Sequence, residues 1–190
     1  SYIITETLFI NIEINDDDLI FNNIKPNEQQ KYILENIHDF YLNYGHIGKI
    51  IWPCGLGKAL LSVFIVQLLQ YKKILVGVPS KFLQLQFAKE ILKVFNNVDI
   101  LFVGSNLKYN EIKNKIICTT NKKYIKQFIN NDNHRIKFII TTYHSCHLLC
   151  DDIQFDFKIG DESHHLVGCE SESIRSFKSF HDIKSNKTLF

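Results

Sequence analysis

Two short groups of residues in this chain could act on a phosphorylated ligand. The first is a glycine-rich turn, Gly55-Leu56-Gly57-Lys58, which follows an apolar segment and precedes a helical pattern. Glycines let backbone N–H groups turn toward an anion, a helix N-terminus favours negative charge, and a lysine reaches the outer phosphates of a nucleotide. The same composition also suits a plain strand-to-helix turn, so the surrounding elements must decide between the two.

The second group is the acidic pair Asp161-Glu162, which directly follows the apolar segment 155–159. Adjacent carboxylates at a strand end can hold the shell of a magnesium ion and accept a proton from, or orient, an attacking water. Taken alone, such a pair is as easily a solvated strand end. Together with the lysine turn, it favours the second half of a nucleoside triphosphate site.

The residue after the lysine departs from the usual phosphate-loop pattern. That pattern ends in Ser or Thr, whose hydroxyl ligates Mg²⁺, whereas this chain has Ala59. Phosphate binding can continue through the backbone and Lys58, but metal affinity should fall. We therefore expect ATP and Mg²⁺ as ligands, with a weakened metal site.

A parallel sheet would bring these groups together. Short apolar strands alternate with helical patterns along the chain, which is typical of an α/β fold whose sheet is covered by helices on both faces. Ligands of such sheets bind at the carboxyl ends of the strands, and both groups follow predicted strands. The predicted strands are Lys49–Trp52, Ile74–Val78, Asp99–Val103, 136–142, 155–159 and a last one beginning at 186, and the predicted helices are Asn27–Tyr44, Lys58–Gln70 and Ser80–Phe95.

The composition fits one domain that is not secreted. The 190 residues are 45% hydrophobic with a net charge of +2, so bulk charge does not indicate a nucleic-acid binder. No apolar run reaches the roughly 18 residues of a membrane span, and we expect no membrane association. The five cysteines form no C-x-x-C pair, which favours an intracellular protein, in cytoplasm or nucleus, including a virus-encoded one. Because the chain contains no Met, we expect a fragment.

Taken in order, these motifs resemble the first RecA-like domain of a superfamily 2 helicase of the DExH type, a group that includes restriction-enzyme motor subunits such as those of type III. The resemblance covers about residues 24–190 and stops before motif III. GLGKA (55–59) resembles motif I, and DESH (161–164) resembles motif II. VPSKFLQLQ (78–86) looks like motif Ia, TTYHS (141–145) looks like the segment before motif II, and KPNEQQ (25–30) is a loose adenine-contacting motif.

The resemblance implies a role for each matching residue. Asp161 would bind and orient Mg²⁺, and Glu162 would activate the attacking water. Lys58 would hold the phosphates, and His164 would couple the site to later motifs. Gln29 is the better candidate for adenine contact. The other loop positions expected to bind nucleotide are Pro53, Cys54, Gly55, Leu56, Gly57 and Ala59.

The implied function is a nucleic-acid-dependent ATPase, either a helicase or a translocase. Pro79, Ser80, Thr141 and Thr142 would lie along the sugar-phosphate backbone of DNA or RNA, where contacts position a strand without reading its sequence. A second RecA-like domain, absent from this chain, would supply an arginine finger. We therefore expect residues 1–190 alone to hydrolyse ATP poorly.

Two other functions stay open. The first 23 residues are expected to form a unit separate from the ATP-binding domain. The same fold could serve as a restriction-enzyme motor on duplex DNA, or Ala59 could mark a non-catalytic nucleic-acid-binding module with a degenerate ATP site. Residues 1–23, which alternate apolar and polar from Leu8 to Ile14, are expected to form an accessory strand or hairpin, and residues 24–190 the ATP-binding domain.

Two further patterns are expected to be structural. The lysines between 107 and 127 could face phosphates, but a solvated helical face is favoured in so lysine-rich a chain. A zinc site is not expected, because the spacing fits no common ligand pattern; helix packing is favoured for His144, Cys146, His147 and Cys150.

Overall fold

The computed structural model describes residues 24–53, 55–105, 116–149, 153–162 and 179–190. The helices are α1 (Glu28–Asp39), α2 (Lys58–Leu68), α3 (Lys81–Val94) and α4 (Lys122–Asn130), with a π-helical turn (Phe40–Tyr44) and a 3₁₀ helix (Tyr143–Leu148). The strands are β1 (Ile47–Gly48), β2 (Lys73–Val78), β3 (Val98–Val103), β4 (Ile116–Thr119), β5 (Ile136–Thr142), β6 (Phe155–Gly160) and β7 (Ser185–Leu189).

Within the described residues the strands form one seven-stranded sheet in the order β1-β7-β6-β2-β5-β3-β4. Every pairing is parallel, which confirms the predicted α/β class. Strand β7 lies between β1, which leads into the glycine turn, and β6, which carries the acidic pair. Strands β1 and β6 are therefore two strand spacings apart, about 10 Å.

Alternate residues of the central strands pack on opposite faces of the sheet. On β2, Ile74 and Val76 join the cluster formed with α1, α2 and α3, whereas Leu75 joins a second cluster with α4 and the 3₁₀ helix. Because both faces are covered, these strands are apolar throughout, and period-2 alternation is lost from their sequences. No helix in the described part of the chain has the length and apolar character to cross a membrane.

Lysines on three strands, of which Lys137 and Lys158 are buried and Lys187 is half-buried, contact the ends of the helices that pack beside them. Lys137 of β5 donates to the carbonyl of Asn131, the residue that ends α4. Lys187 of β7 donates to the carbonyl of Gly45, at 2.9 Å, where the π-helical turn ends. A cation beside the last carbonyls of a helix satisfies groups that have no intrahelical partner and opposes the negative end of the helix dipole.

Lys158 of β6 makes the most extensive contacts of this kind. Its ammonium donates to the carbonyls of residues 180, 181 and 183 at 3.3, 2.9 and 2.8 Å. The side chain is almost completely buried, and burial lowers the pKa of Lys158 to about 8. Lys158 therefore fixes the short helical segment 179–182 to the sheet.

The structure differs from the predicted elements at both edges of the sheet. The strand predicted over Lys49–Trp52 is wrong, because among the described strands β1 pairs only with β7 and that ladder ends at Leu189 opposite Gly48. At the other edge, the sequence patterns did not predict β4 or α4. The accessory unit proposed for residues 1–23 lies outside the described residues.

Candidate nucleotide site

The glycine turn adopts the backbone that a phosphate loop requires. Gly55 and Gly57 have φ angles of +88° and +79°, in the left-handed region that glycine enters without a Cβ penalty. Gly57 is the N-cap of α2, and Lys58 is the first residue of that helix. The described backbone of this turn therefore leads directly into the N-terminus of α2, where unpaired amides favour an anion.

A glutamine of α1 holds the glycine turn through a hydrogen bond to its backbone. Gln30 is buried, and its Nε2 donates to the carbonyl oxygen of Gly57 at 3.3 Å. A Cβ on Gly57 would lie 2.8 Å from that nitrogen, so the close approach also requires glycine. Gln30 is fixed by a reciprocal capping box with Asn27. The sequence favoured Gln29 for this region, but Gln29 is exposed on the same helix.

The ammonium group of Lys58 lies between the turn and the acidic pair. Its Nζ donates to the carbonyl oxygen of Trp52 at 3.0 Å and lies 3.9 Å from Oε1 of Glu162. Both charged side chains are about a fifth exposed, 23% for Lys58 and 21% for Glu162. The structure thus brings together the two groups that the sequence placed on separate segments.

The acidic pair is fixed at the carboxyl end of β6 through its main chain. The amide of Asp161 donates to the carbonyl of Gly77 on β2 at 2.9 Å, and the hydroxyl of Tyr143 donates to the carbonyl of Asp161 at 2.8 Å. Burial raises the pKa of Tyr143, so this phenol stays protonated as a donor. Glu162 has a φ of +52°, an uncommon conformation that such tight anchoring can hold in place.

A cavity of about 270 Å³ joins the glycine turn to the acidic pair. Helix α3 forms its remaining wall, a contribution that motif reading missed and that the helical spacing of residues 83–90 could have suggested. The residues that line the cavity are Gly55, Gly57, Lys58, Ala59, Leu60, Leu83, Gln86, Phe87, Glu90, Asp161 and Glu162. The lining combines apolar side chains with a few polar and charged ones, which is usual for a small-ligand pocket.

The remaining predicted site residues differ in where they lie relative to the cavity. Ala59 lines the cavity with a methyl group where a phosphate loop usually offers a hydroxyl. Pro53 is exposed and Leu56 is half-buried on the turn. Cys54 and His164 lie outside the described residues.

The four positions expected along a nucleic-acid backbone differ in accessibility. Pro79 is exposed, and Ser80 is half-buried as the N-cap of α3. Thr141 is completely buried and donates its hydroxyl to the carbonyl of Thr142, so the contact expected from its side chain is corrected to a structural role. The hydroxyl of Thr142, itself buried, donates to Oγ of Ser145 at 3.0 Å.

Three further polar residues, Ser145, Ser105 and Lys81, lie close together near the carboxyl ends of β5, β3 and β2 and form what we call the polar row. Ser145 approaches Gly104 at the end of β3, where a Cβ on the glycine would lie 3.4 Å from the serine Oγ. The next residue, Ser105, contacts Nζ of Lys81 at the start of α3. Neither Lys81 nor Ser105 was singled out from the sequence, because their proximity depends on the pairing of β2, β5 and β3.

The candidate zinc residues pack as structural groups where they are described. Cys146 is buried, its Sγ contacts the carbonyl of Thr142, and burial raises its thiol pKa to about 12. His147 contacts the carbonyl of His144. Within the described ranges, no group of three His, Cys, Asp or Glu side chains could hold a metal ion. Cys150 lies outside them.

Comparisons with known proteins agree with this architecture. A family model described as "Type III restriction enzyme, res subunit" matches residues 23–189. Among solved structures, the fold is similar to a nuclease-deletion mutant of the Type ISP restriction-modification enzyme LlaGI in complex with a DNA substrate mimic, with a TM-score of 0.73 and 22% identity. That match covers 87% of this chain and 17% of the LlaGI chain. Comparison with curated protein sequences gives no match.

Proposed function

The chain belongs to the family of the type III restriction enzyme res subunit, and on that basis we propose that it is the ATP-binding half of a motor that moves on nucleic acid. Its RecA-like fold and its family membership are those of superfamily 2 helicase-like motor domains. The activity of the whole protein, its substrate and its partners are part of the proposal, because the matched structure is several times longer than this chain.

The meeting of Lys58 with Glu162 inside one cavity carries this proposal. A lysine at the start of a helix and a carboxylate on a separate strand have no structural need to converge at 3.9 Å. Both line the cavity with Asp161 and the two glycines of the turn. The arrangement offers amide groups and one ammonium for phosphates, with carboxylates on the opposite side.

Lys58 and Glu162 would have different roles in the transfer of the phosphoryl group to water. Lys58 would offset the negative charge of the outer phosphates. Glu162 would accept the proton of the attacking water, and its position depends on the backbone bond of Asp161 to β2. The arginine that stabilises the transition state in such enzymes, worth about 10³ to 10⁵ in rate, would come from a second domain.

The residues present fit the phosphates of a nucleotide better than they fit a magnesium ion. Mg²⁺ in phosphate-loop enzymes is held by a Ser or Thr hydroxyl and a carboxylate, and it bridges phosphate oxygens. Asp161 is the candidate carboxylate, but Ala59 removes the hydroxyl. We therefore propose that this site binds the metal weakly.

A second candidate is a motor that translocates on duplex DNA within a restriction system. Two findings favour it: the family description names a restriction subunit, and the similar structure is a restriction-modification enzyme with a DNA substrate mimic. A third candidate, a nucleic-acid-binding module without hydrolysis, rests on Ala59 alone.

ATP hydrolysis tests the proposal in a chain extended through the proposed second domain. We expect stimulation by single-stranded DNA, duplex DNA or RNA, and loss of that stimulation in Lys58→Ala but not in Lys184→Ala, an exposed lysine before β7. Stimulation by duplex DNA alone would select the restriction-type motor. A folded protein that binds polynucleotide but hydrolyses nothing would select the non-catalytic module.

A further inference from the structure

We propose that Tyr143 is a positioning residue for ATP hydrolysis, and that it links the acidic pair to a polynucleotide bound at the polar row. Tyr143 is the first residue of the 3₁₀ helix Tyr143–Leu148, which follows β5. The inference rests on the proposed function, because it assumes that Glu162 acts on the attacking water. The sequence motifs assign no role to this tyrosine, although it lies within the segment 141–145.

The hydroxyl of Tyr143 fixes the peptide group from which Glu162 projects. It donates to the carbonyl of Asp161 at 2.8 Å, and this carbonyl belongs to the planar peptide unit that joins Asp161 to Glu162. The preceding peptide unit is held separately, because the amide of Asp161 donates to the carbonyl of Gly77 on β2. The bond from Tyr143 therefore sets the plane that precedes the φ angle of +52° at Glu162, a conformation that needs support from its surroundings.

The ring of Tyr143 is held by groups that belong to neither the glycine turn nor the acidic pair. It is almost completely buried and packs edge-to-face against Phe180, with ring centroids 5.1 Å apart. A Cβ on Gly77 would lie 2.8 Å from the Tyr143 ring, so the ring reaches β2 only because residue 77 is a glycine. The carbonyl of Phe180 in turn accepts a bond from Lys158 at 3.3 Å. The hydroxyl is consequently held in one direction, toward Asp161.

The same 3₁₀ helix carries a residue of the polar row. Ser145 is two positions after Tyr143, and its Oγ accepts the hydroxyl of Thr142 at 3.0 Å. The turn is further held by the contact of Cys146 Sγ with the Thr142 carbonyl. Serine hydroxyls and a lysine ammonium, the groups of the polar row, are suited to contact a sugar-phosphate backbone without reading its sequence. A polynucleotide strand at the polar row would therefore bear on the same short turn that positions the Asp161 carbonyl.

A second buried tyrosine provides a matched control. The hydroxyl of Tyr41 also donates to a main-chain carbonyl, that of Thr188, at 2.8 Å. Its ring packs edge-to-face against Phe157, with centroids 5.5 Å apart. Tyr41→Phe and Tyr143→Phe therefore remove the same atom and the same kind of hydrogen bond from the core. The Tyr143 bond ends on the acidic pair, whereas the Tyr41 bond ends on β7, so a loss of stability alone would be shared by both variants.

Kinetic measurements on these two variants separate positioning from stability. ATP hydrolysis would be measured in the chain extended through the proposed second domain, with and without mixed-sequence single-stranded DNA, duplex DNA or RNA. In Tyr143→Phe we expect the stimulated kcat to fall about 10- to 100-fold, the scale for a group that supports a reacting side chain. The KM for ATP should stay within about twofold of the wild type, because the glycine turn and Lys58 are unchanged. Polynucleotide affinity, measured by fluorescence anisotropy, should not change.

The ratio of stimulated to basal kcat tests the link itself. It should fall in Tyr143→Phe, because a bound strand can no longer act on the acidic pair through the hydroxyl, and it should stay at the wild-type value in Tyr41→Phe. A wild-type ratio in Tyr143→Phe, or the same fall in both variants, would overturn the link while leaving the motor proposal intact. A parallel loss of polynucleotide affinity in Tyr143→Phe alone would place the hydroxyl on the nucleic-acid surface and would also overturn the link. A wild type that no polynucleotide stimulates would instead overturn the proposed function.

Discussion

Gln30 holds the backbone of Gly57 from beneath the phosphate turn. Its Nε2 donates to the Gly57 carbonyl at 3.3 Å, while its Oε1 accepts the amide of Asn27 at 3.0 Å. One side chain thus joins the start of α1 to the start of α2. The shape of the nucleotide turn consequently depends on a residue 27 positions earlier in the chain.

Replacement of Gln30 should weaken nucleotide binding through the turn. In Gln30→Ala the Gly57 carbonyl and the Asn27 cap each lose a partner, at about 1 kcal/mol per bond, so we expect roughly fivefold lower affinity for ATP and a lower free energy of unfolding. Gln29→Ala, one residue away and exposed, is the control. A larger loss in Gln29→Ala, specific for adenine nucleotides, would contradict this prediction and would support the adenine contact predicted for Gln29 from the sequence.

Glu162→Gln should separate binding from hydrolysis. The amide keeps the size of the side chain but cannot accept the proton of water, so hydrolysis should fall by about 10²- to 10⁴-fold. Nucleotide affinity should stay level or rise, because the carboxylate near Lys58 is removed. Rates would be measured in the two-domain protein beside Asp132→Asn, an exposed acid at the far edge. Unchanged hydrolysis would remove Glu162 from the mechanism.

A hydroxyl at position 59 should restore dependence on magnesium. We expect wild-type affinity for ATP to differ little between Mg²⁺ and EDTA. Ala59→Thr should bind ATP with Mg²⁺ about 10- to 100-fold more tightly than with EDTA, the scale of a single supporting group at a metal site. Ala59→Val has nearly the same shape without the hydroxyl. If Val and Thr behave alike, the effect comes from packing and the metal argument fails.

Lys158 should make stability rise with pH above 8. Burial lowers the pKa of Lys158 in the folded protein to about 8 from the ordinary lysine value of 10.5, so the unfolded chain binds the proton more tightly between these two pH values. Where the unfolded state holds more protons, the free energy of unfolding increases with pH.

Denaturant titrations from pH 7.5 to 10 on the wild type and Lys158→Met would isolate this effect. The difference in unfolding free energy should grow in favour of the wild type as pH rises, whereas Lys184→Met, an exposed lysine, should track the wild type. A difference that stays constant with pH would show that Lys158 does not titrate there.

The central sheet was predictable because its strands are apolar on both faces. The range predicted for β5 is the observed one, and β2 and β3 were predicted one residue short at their first residues. The edge strands lack this signal: β1 has two residues, and β4 is only partly buried. Their existence depends on partner strands, which local patterns cannot reveal.

Side-chain direction limited the prediction of the site. Motif reading found Lys58 and Glu162, whose types are chemically distinctive. It did not find the contact of Gln30 with the glycine turn, because the adjacent residues Gln29 and Gln30 differ only in which side of α1 they occupy. It also placed Thr141 on a nucleic-acid surface, whereas the Thr141 side chain is completely buried and donates its hydroxyl to the carbonyl of Thr142.

The position of β7 has a consequence for synthesis on the ribosome. Strand β1 pairs only with β7 among the described strands, and β7 is also the partner that separates it from β6. The strand preceding the phosphate turn therefore has no ladder until residues 185–189 have left the exit tunnel. Incorporation of β1 into the sheet must therefore follow translation of β7, and until then the early apolar segments depend on helix contacts or chaperones for protection.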